Sequence, residues 1–232
     1  MSMSTTSNGS ASLGAASPLA ATYRELAGLL RSPRPAPARI AELLDSLGHQ
    51  QRLAAIHALG RDEQRQLWHA VSGFAPLALT DIVPAATPAN QQVRHFGKNT
   101  LPLFTTFEKR FLRPIGQDAA APAELHGYNF QDSAVGTWFA GPGYFVATAS
   151  PERPEVLIDY RQLPATRPDS WPPIRSNTCG GGRFVYGFMV DTLRKVSAHV
   201  TIGRANRHGK DMDAWFMLCR DASAASAASA AS

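Results

Sequence analysis

The stretch Asn177–Arg220, NTCGGGRFVYGFMVDTLRKVSAHVTIGRANRHGKDMDAWFMLCR, carries the features on which the fold turns. It opens on the consecutive glycines Gly180, Gly181 and Gly182. Val185, Met189, Leu193 and Val196 then recur three or four apart, the spacing that puts apolar side chains on one helix face. Phe184–Val190, with Gly187, also fits a strand, so the pattern leaves residues 184–197 open between the two. Beyond it, Val200–Ile202 and Trp215–Leu218 flank a polar turn, Asn206–Lys210, around Gly209. That is a hairpin signal. The stretch therefore predicts a glycine turn, an amphipathic helix and a β-hairpin.

Working back toward the N-terminus, the period stays near two. Glu124–Phe130 alternates as a strand. Thr137–Phe139 and Tyr144–Ala147 flank a Gly/Pro turn at 140–143, and Val156–Tyr160 is a further strand. Pro164–Pro173 is a proline-rich loop carrying Trp171. Phe104, Phe107 and Phe111 stand at helical spacing and predict a short aromatic-faced helix. The expected architecture over 100–221 is α+β: about five antiparallel strands packed with two helices.

Residues 19–78 read as a helical region. Four apolar stripes (Tyr23/Leu26/Leu30, Ile40/Leu44/Leu47, Leu53/Ile56/Leu59 and Leu67/Val71/Phe74) are separated by Pro or Gly. They predict a small bundle suited to docking a partner or to dimerising. A helix-turn-helix is disfavoured because the last helix offers only Gln64, Arg65, Gln66 and His69 on its polar side. Residues 79–99 are expected as a linker. The Ser/Ala-rich tails 1–18 and 222–232 have too little apolar surface to fold.

The chain has 232 residues, 44% of them hydrophobic, which is enough for a real core; its formal charge is +5. Between Trp171 and Lys210 seven basic residues face a single acid, Asp191. Such a block predicts an anionic partner, either a small ligand or an acidic protein surface. Nucleic acid is disfavoured. No apolar run is long enough for a membrane helix, and the N-terminal residues lack the pattern of a secretory signal. A cytoplasmic protein with reduced thiols is expected.

Several residues are candidates for chemistry. Gly180–Gly182 ahead of a helix would expose backbone N–H groups to an anion, with Arg183 adding a guanidinium fork. The loop matches neither a P-loop nor a dinucleotide fingerprint. Cys179 beside Arg183 is a weak nucleophile candidate, since its base is not identifiable. The seven histidines show no metal-binding spacing, and neither metal nor cofactor is expected. Trp138, Tyr144, Tyr160, Tyr186 and Trp215 could line a pocket, each with an apolar body and a polar tip. Strand alternation puts Arg204 on the face opposite Arg207. Arg204 is the residue expected at the pocket, with Arg207 and Lys210 facing solvent. The leading reading is non-enzymatic binding of a small, partly apolar anionic ligand of fatty-acid or acyl type. The alternative is a scaffold with a solid core, and an enzyme using Cys179 comes third. A cavity of roughly 300 Å³ or more within the sheet separates the first from the second.

Overall fold

A computed structural model describes residues 18–102, 105–130, 142–177 and 186–221. The described residues form eight strands: β1 (Val93–Asn99), β2 (Thr106–Leu112), β3 (Glu124–Phe130), β4 (Tyr144–Ala149), β5 (Val156–Asp159), β6 (Val190–Lys195), β7 (Val200–Arg207) and β8 (Lys210–Arg220). Each pairs antiparallel with its sequence neighbour, and β8 returns to β1, so the sheet closes into an up-and-down barrel. Closure removes both edges that an open sheet would leave unpaired.

This overturns the expected α+β arrangement of five strands and two packed helices. The aromatic run expected as a helix is β2, and the run after the glycine loop supplies β6 instead of a helix. Both errors share a cause. Phe107 and Phe111 are four apart, as are Met189 and Leu193. A spacing of four shares a face in a helix and equally in a strand, where it is twice the period of two. Residues 79–99, read above as a linker, contain the short helix α5 (Leu79–Ile82) and all of β1.

The four N-terminal stripes map onto helices α1 (Pro18–Arg31), α2 (Pro37–Ser46), α3 (His49–His57) and α4 (Arg61–Ala70), with Leu47, Leu59, Val71 and Phe74 falling just beyond the helix ends. Their apolar faces pack against the outside of the barrel. Leu26, Ile40, Ile56 and Leu67 form one core with Val200, Ile202, Trp215, Met217 and Cys219 of β7 and β8. The opposite faces of the same strands point inward. Phe216 and Leu218 join Phe111, Phe145, Ile158 and Leu193 in the barrel interior. β8 is thus buried on both faces, which is why Trp215–Cys219 reads as an unbroken apolar run.

The two ends of the barrel differ. One end, where β1 starts and β6 finishes, is covered by α5. There the buried His95 ring is hydrogen-bonded to the Ile82 carbonyl (3.0 Å) and Lys195 pairs with Asp81 (2.7 Å). The other end, at Asn99, Tyr160 and Arg207, leads into a cavity.

Candidate functional site

The cavity exists because interior positions alternate between large and absent side chains. The Phe107 ring lies over Gly97, and the Phe216 ring over Gly203. A Cβ on Gly203 would come within 2.1 Å of the Phe216 ring. With rings folded flat against glycines, the barrel keeps a space of about 310 Å³ at this end. Its walls are mainly apolar: Leu101, Phe107, Met189, Ala205, Met212, Ala214 and Phe216. Arg207 also lines it.

A polar cluster is set into this apolar wall. On β2, Glu108 and Arg110 turn outward and pair with each other (2.9 Å), and strand alternation turns Lys109 inward between Phe107 and Phe111. Lys109 and Asp191 of β6 are almost fully buried, their side chains 2% and 4% exposed. Lys109 Nζ donates to Asn129 Oδ1 (3.0 Å), to Asp191 Oδ2 (3.4 Å) and to the Tyr160 hydroxyl. An ammonium has three protons to give, and these three oxygens match it. Four rings surround the nitrogen, those of Phe216 and Tyr160 at 4.9 Å, Phe145 at 5.2 Å and Phe107 at 5.7 Å to their centroids. The negative faces of the three phenylalanine rings partly replace lost hydration, while Tyr160 contributes its hydroxyl oxygen. Asn129 Nδ2 also donates to the Tyr160 hydroxyl (2.9 Å), and the Tyr186 ring stacks on Tyr160 at 5.3 Å. Asp191 Oδ1 is buried and has no hydrogen-bond partner among the described residues.

Burial sets the electrostatics. It pushes Lys109 down to about 8, against the pull of the Asp191 charge. It raises the Asp191 carboxyl despite Lys109 beside it. Tyr160 is driven well above the ordinary phenol value by burial and the nearby Asp191 charge, and Tyr186 up to about 12. The site therefore holds two neutral hydroxyls and one ion pair whose charged form is costly. Burial thus weakens the charged form on both sides of the pair, lowering the amine's hold on its proton and raising the carboxyl's.

The sequence candidates divide. Tyr160 and Tyr186 line the cavity; Trp215 borders it on β8, but its side chain packs with the helices on the outer face. Tyr144 faces outward, packed with Tyr128 and Trp171, and its hydroxyl donates to the Pro172 carbonyl. Arg204 is on the outer face of β7, paired with Asp211 (2.7 Å) and lying over the Trp215 ring. Arg207 takes the cavity position expected of Arg204. Arg204 and Arg207 fall on opposite faces of β7, and because Val200–Gly203 is buried on both faces, apolarity does not tell inside from outside. Trp138, Cys179, Gly180, Gly181, Gly182 and Arg183 lie outside the described residues.

Several cations of the basic block are neutralised within the fold. Arg194 pairs with Glu155 (2.7 Å) and lies over Trp68, Lys195 pairs with Asp81, and Arg204 with Asp211. Lys109, Asn129 and Asp191 were missed. Two signals pointed to them: Lys109 alternates with phenylalanines, and Asp191 is the single acid of the basic block.

Among the described residues no three His, Cys, Asp or Glu side chains cluster as metal ligands would, and no helix is long and apolar enough to cross a membrane. The fold and cavity define a closed, eight-stranded antiparallel barrel with a polar cluster in an apolar interior. No protein-family model, no curated protein and no solved structure matches the chain.

Proposed function

We propose that the barrel binds a small, mostly apolar ligand carrying one acidic group, with its apolar part inside and its charge toward Arg207. The observation that carries this reading is an apolar cavity of about 310 Å³ with a polar cluster in its wall. At water's share of ~30 Å³ per non-hydrogen atom, such a space takes roughly ten heavy atoms. The ligand is then of medium-chain acyl size. Its charge belongs near Arg207 because the buried Asp191 carboxylate would repel an anion seated beside Lys109. The cavity also counts against the scaffold reading, which requires a filled core.

Displacement of a fluorescent apolar probe by octanoate, decanoate and palmitate tests the proposal. The medium-chain acids should compete best. Ala205→Trp, which fills the cavity, should abolish binding while the protein still unfolds cooperatively. Arg207→Ala should weaken decanoate roughly tenfold or more and leave decanol unchanged, as expected for loss of a charge-assisted hydrogen bond. Binding that survives Ala205→Trp would refute the assignment.

A further inference from the structure

We propose that Lys109 captures carbonyl compounds covalently, its Nζ condensing with a small aldehyde or ketone seated in the cavity to form an imine. The inference rests on the binding reading above and extends it to a reaction. Three features of the cluster carry it.

The first is access. Lys109 lines the cavity, so a ligand inside it lies beside the one primary amine of the barrel interior among the described residues. The second is the character of the floor. A carboxylate is repelled there by Asp191, whereas a neutral carbonyl oxygen suits the amide and phenol groups of Asn129 and Tyr160. The third is a proton carrier. One oxygen of Asp191 meets Nζ at 3.4 Å, while the other is buried with no hydrogen-bond partner among the described residues. A carboxyl so placed can take a proton from the amine and deliver it elsewhere in the cavity. Burial lowers the affinity of the amine for its proton and raises that of the carboxyl. The transfer that frees the nucleophile therefore costs less than it would in water.

The step balances as follows. The Lys109 ammonium passes one proton to Asp191. The neutral amine adds to the carbonyl carbon, forming the C–N bond as the C=O π pair moves to oxygen, which takes the proton from Asp191. The nitrogen returns a second proton to Asp191. The hydroxyl takes that proton and leaves as water, breaking the C–O bond while the nitrogen lone pair forms C=N. The products are a protonated imine, one water and the Asp191 carboxylate. The three phenylalanine rings around Nζ that hold the ammonium also favour the iminium cation.

The full chain is incubated with decanal and sodium cyanoborohydride at pH 7.5, and the mass of the intact protein and its peptides is measured. The expected result is one decyl group per chain, on Lys109, in preference to Lys98, Lys195 and Lys210. Lys109→Arg keeps the positive charge opposite Asp191 but cannot form the imine, and it should remove the adduct while circular dichroism stays native. Asp191→Asn should slow adduct formation at least tenfold. Probe displacement by decanal and decanoate is run in parallel on the same protein. Displacement without a reducible adduct, or labelling spread evenly over the lysines, overturns this inference alone. Failure of both ligands to displace the probe overturns the binding reading and the inference with it.

Discussion

Replacing Lys109 by methionine removes the cation paired with Asp191 and leaves a carboxyl buried in the barrel interior. At 3.4 Å and an effective dielectric constant of about 20, the lost attraction is about 5 kcal/mol. Breaking a buried pair from one side typically costs about 3–5 kcal/mol, so Lys109→Met should lose about that much at pH 7. The loss has a limit, because Asp191 can take up a proton. Its folded pKa is already raised by burial and rises further without Lys109. A carboxyl with a raised folded pKa contributes stability that is full below its unfolded pKa and is lost as pH rises through the folded value. The penalty should therefore be smaller near pH 4.5 than at pH 7.

Asp191→Asn has the opposite dependence. It leaves Lys109, already down to about 8, with a still lower folded pKa. The unfolded chain then binds the extra proton between that value and the ordinary lysine range, so stability should rise with pH through that window. The double variant Lys109→Met/Asp191→Asn has no buried charge at this site, and should fall within about 1–2 kcal/mol of the parent or exceed it. Urea unfolding followed by tryptophan fluorescence, extrapolated linearly, gives all four free energies. If the costs of the single variants simply add in the double, the two groups are not coupled and the account of the cluster is wrong.

Other perturbations follow from the same structure. Gly203→Ala puts a methyl 2.1 Å from the Phe216 ring. It should cost about 1–3 kcal/mol as an overpacked core, seen as a lower thermal midpoint. His95 is held neutral by burial, its pKa pushed down to about 3. The unfolded chain takes up that proton near the ordinary histidine value, so the protein should lose stability as pH falls from about 6.5 toward 3. His95→Gln should flatten this limb in acid titrations monitored by circular dichroism. Cys219 is buried beneath the helices, and its thiol is pushed up to about 11. Thiol reagents at pH 7.5 should leave it unmodified in the native protein and label it promptly in urea, as thiolate supply and access both require.

Much of the local structure was legible in the chain itself. The stripes Tyr23/Leu26/Leu30 and Ile40/Leu44/Leu47 mix steps of three and four, between Pro and Gly breaks, and only a helix gathers both steps on one side. Val156–Asp159 is too short and too β-branched for anything but a strand. The turn between β7 and β8 was legible at Gly209, where His208 and Gly209 both adopt positive φ. That is the backbone such two-residue hairpins need.

Three further properties depended on tertiary structure. Phe107/Phe111 and Met189/Leu193 obey a spacing that helix and strand satisfy equally, and pairing with neighbouring strands decided between them. Closure of the barrel depends on β1 meeting β8, more than a hundred residues apart in sequence, and no local pattern encodes that contact. The inner face of β7 and β8 could not be read because the helices bury the outer face as deeply as the barrel buries the inner one. Arg204 was accordingly assigned to the cavity in place of Arg207. Lys109, in the run Glu108-Lys109-Arg110, looks like one charge among solvated neighbours. Only the closed barrel turns Glu108 and Arg110 outward and leaves Lys109 facing Asp191 in an apolar interior.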